Sequence, residues 1–454
     1  MKNVKNLVLI TVDCLRFDAV SKDYTPFLWS LRKIGMFFTR AYSLSSWTTP
    51  SIVGLLTSTY PLMYCGDLTI TYPRVSAAEV LQKAGYITIG LTFHPYLDAM
   101  FGFDRGFDVY YDDSFIYRYK SRYNAKNSKQ KTVKRLVRTL TRVIKSIPGF
   151  GRVLRKAYCN MRFRALYKAI LSNEMSFKLG GGKINEVVRE VVSSVKTPFF
   201  LWVHYLDPHF PYIPRTRTVS REKIAILNVE RERWRKFGKR PNSKVLDRLR
   251  EIYLLTVYDV DKYIEEVIEY FKELGLYKET IFVITADHGE EFYEHKGFHH
   301  EIKLYEELIH VPLFIFGEKI KSREIRRPVS HIDLFPTLFS FLGLETPKEW
   351  IGHNMLSKQR NFVFSEEGQN LPGSAFKGRF LRLDLSNASI AIVKSKWKYI
   401  NYKGREELYN LISDPNEQRN VKHENEEVLK SFRFQLEKHL SFVRSFCYFE
   451  KELV

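Results

Sequence analysis

Three apolar runs in this 454-residue chain are followed by side chains that could bind a cation or transfer a proton. Asp13 follows the run NLVLITV, Asp287 and His288 follow TIFVITA, and His209 comes shortly after FFLWVHY. Two carboxylates and an imidazole suit one divalent metal ion: oxygen ligands admit Mg²⁺, Ca²⁺ or Mn²⁺, and the histidine favours Mn²⁺ or Zn²⁺. We therefore predict a metal site at which Asp13, Asp287 and His288 meet.

The stretch SSWTTPSIVGLLTSTYP, residues 45–61, offers the nucleophile that such a metal could activate. A hydroxyl beside a divalent ion loses its proton more easily, so a threonine or serine near Pro50 could attack an ester. The apolar run after Pro50 predicts a helix, whose free N–H groups and dipole favour a transferring anion at its start. The alternative is that Thr48 only caps this helix.

The metal site requires a fold that brings the ends of distant apolar runs together. The runs NLVLITV, YITIGLT, FFLWVHY, TIFVITAD and VPLFIF alternate with segments of helical period. This alternation predicts an α/β fold with a central, mostly parallel sheet flanked by helices. In such sheets ligands bind outside the carboxyl ends of the strands, which is where the candidate residues lie.

The pattern changes along the chain and predicts two parts. A catalytic α/β domain covers residues 1–355, and the shorter alternating strands beyond it predict a small α+β C-terminal subdomain over residues 356–454. The segment from about 115 to 180 interrupts the alternation as a basic helical insertion. Residues 115–173 alone carry 17 lysines and arginines and no acidic residue, in a chain whose net charge is +21.

The basic insertion allows two interpretations. Residues 131–147 have a helical period, with an apolar stripe that could pack on the catalytic domain and a basic opposite face. The same helix could instead bind an anionic membrane or polymer. We do not expect nucleic acid as a partner, because no nucleic-acid-binding motif accompanies the charge.

The sequence shows no pattern typical of export. No apolar run is long enough to cross a bilayer, and the N-terminal run lacks a cleavage site, so we expect no transmembrane helix and no signal peptide. The four cysteines lack the spacing of a disulfide framework or a metal site. These features predict a cytoplasmic protein, with peripheral membrane contact only through the insertion.

Nine stretches, in order along the chain, resemble the sulfatase family within the alkaline phosphatase superfamily. They include LITVDCLRFDAV, WTTPSIVGLLTSTYP, FLWVHYLDPHFPYIP, ITADHGEEFYEH and VSHIDLFPTLFSFLGL. The resemblance implies an alkaline-phosphatase-like fold and an ester hydrolase with one divalent metal ion. It also implies that Thr48 joins Asp13, Asp287 and His288 as the fourth metal ligand.

Position 48 departs from the family pattern. Sulfatases resembling this chain carry a cysteine or serine there that is oxidised to formylglycine, and threonine cannot undergo that conversion. Superfamily members that use an unmodified threonine act on phosphorus esters. The resemblance thus implies a hydrolase or transferase that cleaves phospho- or sulfo-esters through a Thr48 nucleophile, with phosphorus esters favoured and no formylglycine. The alternatives are a true sulfuric ester hydrolase and an inactive relative that binds an anionic polymer.

Five histidines complete the site that the resemblance implies. One of them, in Asp207-Pro208-His209, matches a family histidine that contacts the charged group of the substrate, and histidine exchanges protons near neutral pH. The expected substrate is an anionic ester of a saccharide, a lipid headgroup or a metabolite. The site residues that we predict are Thr48, His209 and His299 for catalysis and His94, His204 and His300 for substrate binding.

Overall fold

A mixed sheet of nine strands forms the centre of the described structure. The computed structural model describes residues 6–112, 150–172, 180–215, 219–238, 241–300, 302–368 and 383–447. The strands, with a two-stranded ribbon of β7 and β8 between them, are β1 (Asn6–Val12), β2 (Met36–Tyr42), β3 (Ile87–Thr92), β4 (Val109–Tyr111), β5 (Phe199–Tyr205), β6 (Thr280–Ala286), β7 (Glu291–Phe292), β8 (Phe298–His299), β9 (His310–Phe316), β10 (Arg323–Ile325) and β11 (Val329–Ser330).

The order across the central sheet is β10-β2-β9-β6-β1-β5-β3-β4, and β11 also pairs with β2. Among these described strands only β9 runs antiparallel to its neighbours. The predicted α/β architecture with a mostly parallel sheet is therefore confirmed. The helices around it are α1 (Pro26–Leu31), α2 (Thr48–Thr57), α3 (Ala77–Lys83), α4 (Phe150–Ser172), α5 (Gly181–Ser194), α6 (Arg221–Phe237), α7 (Ser243–Glu273), α8 (Glu306–Ile309), α9 (Leu334–Leu342) and α10 (Glu426–Ser445).

The apolar runs form strands because helices cover both faces of the sheet. Successive side chains of β1 point to opposite faces, so Leu7 and Leu9 pack in one core and Val8 and Ile10 pack in the other. All four are fully buried. Helices α2, α3 and α9 cover the first face, and α5 and α7 cover the second.

A second, antiparallel sheet follows in the C-terminal part of the chain. Its strands pair in sequence order as β12 (Val363–Glu367), β13 (Ser389–Lys394), β14 (Trp397–Tyr402) and β15 (Arg405–Asn410). Helix α10 packs through Leu429 and Phe432 against the buried apolar residues of this second sheet. The predicted α+β C-terminal subdomain is confirmed, and the boundary placed at residue 355 stays a prediction.

Helix α4 lies in the predicted basic insertion. It packs on α6, where Phe163 and Val229 form a small buried cluster, and Ile170 joins the larger core. The described part of the insertion thus buries an apolar face on the rest of the protein. The stripe over residues 131–147, with its membrane or polymer contact, lies outside the described residues. Within the described ranges, no helix is long and apolar enough to cross a membrane.

Candidate active site

The ends of β1, β5 and β6 bring the predicted metal ligands to one edge of the sheet. Val12 pairs with Tyr205 on one side and with Ala286 on the other, in parallel register. The residues that follow β1 and β6, Asp13 and Asp287, therefore leave the sheet side by side. Both are fully buried.

Three side-chain oxygen atoms, all candidate metal ligands, surround Nε2 of His288. This atom lies 3.5 Å from Oδ1 of Asp13, 3.4 Å from Oδ2 of Asp287 and 3.2 Å from Oγ1 of Thr48. The other ring nitrogen, Nδ1, lies 2.8 Å from the carbonyl oxygen of Gly289 and donates a hydrogen bond to it. Nε2 therefore presents its lone pair to the cluster, which is the state in which a histidine binds a metal.

Thr48 is the first residue of α2, and its hydroxyl faces this cluster. Trp47 occupies the N-cap position in an extended conformation, and its indole makes no capping hydrogen bond. The hydroxyl of Thr48 contacts His288 instead of the helix backbone. The capping alternative is therefore wrong for Thr48. The free N–H groups of the first helical turn lie next to the hydroxyl, where they favour an anion.

The buried carboxylates of the cluster are short of hydrogen-bond donors. Oδ2 of Asp13 and Oδ2 of Asp287 have no hydrogen-bond partner among the described residues. A buried carboxylate oxygen without a partner is costly, and a cation removes that cost. Ligand atoms at about 2.1–2.4 Å from Mg²⁺, Mn²⁺ or Ca²⁺ lie roughly 3.0–3.4 Å apart at right angles. The distances within the cluster are close to these values, so the donor set fits one divalent cation.

The charges of the cluster compensate one another. Burial alone would raise the pKa of Asp13, but His209, His204 and His288 hold it well below its usual range. Burial raises the pKa of Asp287. Burial would lower the pKa of His288, but Asp287 and Asp13 raise it. A positive charge is therefore favoured between the two carboxylates, and a bound cation would supply it in place of a proton.

His94 and His204 both face Asp13, with Nε2 of each 3.8 Å from its Oδ2. Nδ1 of His94 accepts a hydrogen bond from the backbone N–H of Tyr96, and burial lowers the pKa of His94 to about 3. The ring is therefore neutral and carries its proton on Nε2. His204 is fully buried, with Nδ1 2.8 Å from Oγ1 of Thr11. Both predicted substrate-binding histidines reach the cluster, but His204 lies behind Asp13 and away from solvent.

His209, His299 and His300 form a partly exposed row of imidazoles beside the cluster. The ring centre of His300 lies 5.3 Å from that of His209, 5.1 Å from that of His299 and 4.3 Å from that of His288. His299 has a φ of 80°, a left-handed conformation that is costly for a residue other than glycine. The structure thus places these three predicted histidines on the side of the cluster that solvent reaches.

Glu290 and Arg231 also belong to the site, although sequence analysis did not predict them. Glu290 is fully buried, with Oε2 3.4 Å from Nδ1 of His300 and Oε1 3.1 Å from Nη2 of Arg231. Glu290 directly follows the sequence ADHG, which contains two of the predicted metal ligands, so its place in the sequence could have indicated that it lies at the site. Arg231 lies in a stretch without a recognisable motif, so the sequence held no comparable signal for it.

Glu367 of β12 holds the segment that leads into α2. Its carboxylate accepts hydrogen bonds from Oγ of Ser45 at 2.8 Å, from Oγ of Ser46 at 3.1 Å and from Nε1 of Trp47 at 3.2 Å. Burial raises the pKa of Glu367 to about 7. These bonds fix the backbone directly before Thr48, and no local sequence pattern indicated them.

Two family models match the chain. The Sulfatase model matches residues 5–344, and the model of the N-sulphoglucosamine sulphohydrolase C-terminal region matches residues 293–445. The chain belongs to the sulfatase family. Dependence on a divalent metal ion is typical of this family.

Curated relatives of this sulfatase-family protein are similar to it over part of their length. Arylsulfatase K of Bos taurus is 29% identical over 195 residues, which cover 42% of this chain and 36% of the relative. Arylsulfatase K of Homo sapiens is 28% identical over 185 residues, which cover 39% of this chain and 34% of the relative. The chain thus spans little more than a third of these relatives.

Solved structures match nearly the whole fold. The phosphonate monoester hydrolase SpPMH from Silicibacter pomeroyi has a TM-score of 0.69 at 18% identity, covering 96% of this chain and 94% of its own. A structure solved in complex with its substrate D-glucosamine-2-N,6-O-disulfate has a TM-score of 0.67 at 15% identity, covering 97% of this chain and 98% of its own. At these identities the likeness shows the fold alone, and it confirms the predicted alkaline-phosphatase-like architecture.

Proposed function

We propose that this sulfatase-family protein cleaves anionic phosphorus esters through Thr48, with a divalent cation as cofactor. The observation that carries the proposal is the position of the Thr48 hydroxyl, buried at the start of α2 and 3.2 Å from Nε2 of His288. A hydroxyl among two carboxylates and an imidazole of a cation-binding cluster is placed to lose its proton and attack. Threonine keeps this plain hydroxyl, because it cannot be converted to formylglycine.

Phosphorus chemistry suits an unmodified threonine better than sulfate chemistry. Attack by Oγ1 of Thr48 forms a bond to phosphorus and breaks the bond between phosphorus and the leaving oxygen, which produces a phospho-threonine. Water or an acceptor alcohol then attacks the phosphorus and releases the threonine oxygen. The first acceptor makes the protein a hydrolase and the second makes it a transferase. A formylglycine hydrate expels sulfate by elimination from its own carbon, a route that Thr48 lacks.

The chain's own groups supply the rest of the reaction. When bound, the cation adds positive charge that favours the ionised hydroxyl and offsets charge on the ester oxygens. The N–H groups of the first turn of α2 favour an anion at the same place. Burial and the nearby Arg231 lower the pKa of His299, so this ring is neutral and can donate a hydrogen bond. We assign proton transfer to the leaving oxygen to His209. The residues that would hold the cation are Asp13, Thr48, Asp287 and His288.

A cavity beside the row of histidines supports an anionic substrate with an apolar part. The cavity has a volume of about 270 Å³ and adjoins Phe210, whose ring centre lies 5.8 Å from that of His299. Apolar rings line it together with two cationic side chains and one carboxylate, Glu232, so its lining has a formal charge of +1, which favours an ester with a negative charge. A saccharide, a lipid headgroup or a metabolite could supply such an ester. The lining residues are Arg162, Phe163, Leu166, Phe210, Pro211, Glu232 and Lys236.

The test is turnover of matched nitrophenyl esters by the purified chain. A phosphate monoester, a phosphodiester, a phosphonate and a sulfate are each measured with Mg²⁺, Mn²⁺, Zn²⁺ and Ca²⁺, in the wild type and in Thr48→Ala. We expect turnover of a phosphorus ester that is lost in Thr48→Ala. Acid quenching during turnover, followed by mass spectrometry, should find the phosphoryl group on Thr48.

Other outcomes point to the alternatives. Turnover of the sulfate alone would favour a true sulfuric ester hydrolase, and full activity in Thr48→Ala would remove Thr48 as the nucleophile. If no ester is turned over with any of the cations, and the protein binds a sulfated polysaccharide tightly, the result would favour an inactive relative that binds an anionic polymer.

A further inference from the structure

Helices α4 and α6 pack side by side and present a basic surface to solvent. They run antiparallel, because Arg221 at the start of α6 donates a hydrogen bond to the carbonyl oxygen of Leu171 near the end of α4. At the other end of α6, the ring of Phe237 contacts that of Phe163. Residues 160–172 and 221–237, here called the α4–α6 surface, carry eight exposed basic side chains against three acidic ones.

A groove of about 430 Å³ lies between the two helices. Three cationic side chains line it, Arg164, Lys168 and Arg233, together with one carboxylate, Glu230. Nη1 of Arg233 lies 2.6 Å from Oε1 of Glu230, so these two charges compensate each other. The net positive charge of the groove therefore comes from Arg164 and Lys168, and it favours an anion such as a phosphate group.

Large apolar side chains are exposed next to these cations. Met161, Ile226 and Phe237 are 61%, 51% and 44% exposed, and Ile226 lines the groove itself. Apolar side chains among basic ones are typical of a surface that enters the headgroup region of a bilayer, where cations meet lipid phosphates and apolar groups meet acyl chains. An acidic polysaccharide would pair with the cations and leave the apolar side chains in water. The combination therefore favours an anionic membrane over an anionic polymer.

The α4–α6 surface also adjoins the candidate active site. Phe163 lines both the groove and the cavity beside the row of histidines. Phe210 lines the same cavity, and its ring centre lies 5.8 Å from that of His299. A bilayer that contacts the α4–α6 surface would therefore lie next to the cavity in which an ester substrate is expected.

We propose that the α4–α6 surface docks on an anionic phospholipid bilayer. Arg164 and Lys168 bind a lipid phosphate, and the exposed apolar side chains enter the headgroup layer. Charge attracts the protein to the bilayer, and the burial of apolar area keeps it there. The consequence for catalysis rests on the proposed function: the ester that Thr48 attacks would belong to a lipid headgroup. The docking itself does not depend on Thr48.

Sedimentation of the full-length chain with lipid vesicles tests the contribution of charge. Vesicles of phosphatidylcholine alone are compared with vesicles of phosphatidylcholine and phosphatidylglycerol. We expect binding to the mixed vesicles only, and weaker binding at high salt. Arg164→Gln/Lys168→Gln should lower the affinity about 25-fold, since each basic side chain near an anionic surface contributes about fivefold. The matched control, Lys430→Gln/Lys438→Gln, removes two exposed cations from α10 and should bind as the wild type does.

Apolar variants distinguish a bilayer from other polyanions. Met161→Gln/Ile226→Gln keeps every charge and should lower vesicle affinity at least about tenfold, because burial of one large apolar side chain contributes about this much or more. The control is Ile412→Gln/Phe434→Gln, at side chains that are 79% and 64% exposed in the C-terminal subdomain. Circular dichroism verifies that each variant is folded.

Several outcomes would overturn the inference. They are failure of the wild type to bind the mixed vesicles, equal losses of affinity in the two lysine- and arginine-removing variants, and an unchanged affinity in Met161→Gln/Ile226→Gln. Binding to heparin without binding to vesicles would indicate an anionic polymer instead. Turnover of a soluble nitrophenyl ester tests the proposed function separately and should be the same in the wild type and in Arg164→Gln/Lys168→Gln. Docking can therefore fail while Thr48-dependent turnover stands, and the reverse can also occur.

Discussion

Nε1 of Trp47 donates a hydrogen bond of 3.2 Å to the carboxylate of Glu367, which belongs to the C-terminal sheet. The hydroxyls of Ser45 and Ser46 donate to the same carboxylate. The three residues that lead to Thr48 are therefore held by one acidic side chain from a different sheet. Because burial raises the pKa of Glu367 to about 7, the carboxylate form, which accepts hydrogen bonds and donates none, predominates only above that pH.

We expect Glu367→Gln to lower kcat about tenfold, a barrier change of about 1.4 kcal/mol, with KM nearly unchanged. Glutamine turns its amide N–H₂ either toward the two serine hydroxyls, which must then rotate to accept, or toward the indole N–H, which cannot accept; in both cases the contacts to residues 45–47 change and Thr48 is less well oriented. The measurement is kcat and KM on the preferred ester. Glu427→Gln, at a side chain that is 87% exposed, is the control. An unchanged kcat in Glu367→Gln would show that Glu367 does not position Thr48.

Thr48→Val tests the nucleophile with a substitution that keeps the shape of the side chain. We expect kcat to fall on the order of 10³-fold or more, because the valine has no oxygen to attack the ester. Thr48→Ser keeps the hydroxyl and should retain measurable turnover. Thr49→Val is a close control, since Thr49 is also buried and its hydroxyl has no hydrogen-bond partner among the described residues. Equal losses in the two valine variants would indicate damage to α2 and not loss of a nucleophile.

Gly289→Ala should weaken cation binding at the Asp13 site. A β-carbon at this position would collide with the backbone oxygen of Glu307. The chain must then shift where the carbonyl of Gly289 receives Nδ1–H of His288, so the imidazole turns away from its ligand position. We expect at least about a tenfold loss of cation affinity, the size seen when a metal ligand loses its orienting partner. Gly182→Ala is the control: its β-carbon would lie 3.7 Å from a ring carbon of Tyr263, an ordinary van der Waals contact, so this variant should bind the cation as the wild type does. Calorimetric titration with Mn²⁺ measures both.

Asp261 should make the stability of the fold depend on pH. It accepts hydrogen bonds from the N–H groups of Phe27 and Leu28, and burial raises its pKa from 3.8 to about 6. The folded protein thus holds a proton that the unfolded chain has released, and the stability this proton provides is lost as pH rises through 6. Between pH 5 and pH 7 the loss is about 1.4 kcal/mol.

Asp261→Asn removes this titration. Urea unfolding at several pH values should show that the wild type loses about 1.4 kcal/mol more than Asp261→Asn between pH 5 and pH 7. Asp247→Asn, at an exposed position of the same helix, should follow the wild type. If the free energy of unfolding changes with pH in the same way in the wild type and in Asp261→Asn, Asp261 is not the titrating group.

Much of the fold could be predicted because a strand that is buried along its whole length appears in the sequence as a continuous run of apolar residues. Five central strands coincide with apolar runs to within one residue, since a strand covered on both faces tolerates few polar residues. Strand β2, MFFTRAY, was not predicted, because Thr39 and Arg40 interrupt its apolar pattern. The meeting of Asp13, Asp287 and His288 followed from the rule for strand ends.

The rest of the site depends on partners that spacing does not encode. The contact between Glu367 and Trp47 joins positions 320 residues apart. Arg231 reaches Glu290 from a helix whose exposed face is richly charged, so its one buried arginine could not be told from its neighbours. Cys14 had no companion cysteine nearby, and only the folded chain brings it to His300. These contacts follow from the packing of whole elements, which local periodicity does not determine.

Strand β12 also carries Glu366, which holds the chain five residues beyond the other end of α2. Its Oε2 accepts the N–H of Leu62 at 2.7 Å, and its Oε1 lies 2.6 Å from Nε2 of His439. The segments on both sides of the helix that begins at Thr48 are thus held by side chains more than 300 positions later in the chain. A growing chain therefore contains Thr48 long before these contacts can fix its position, and this part of the fold can form only after the C-terminal sheet has been synthesised.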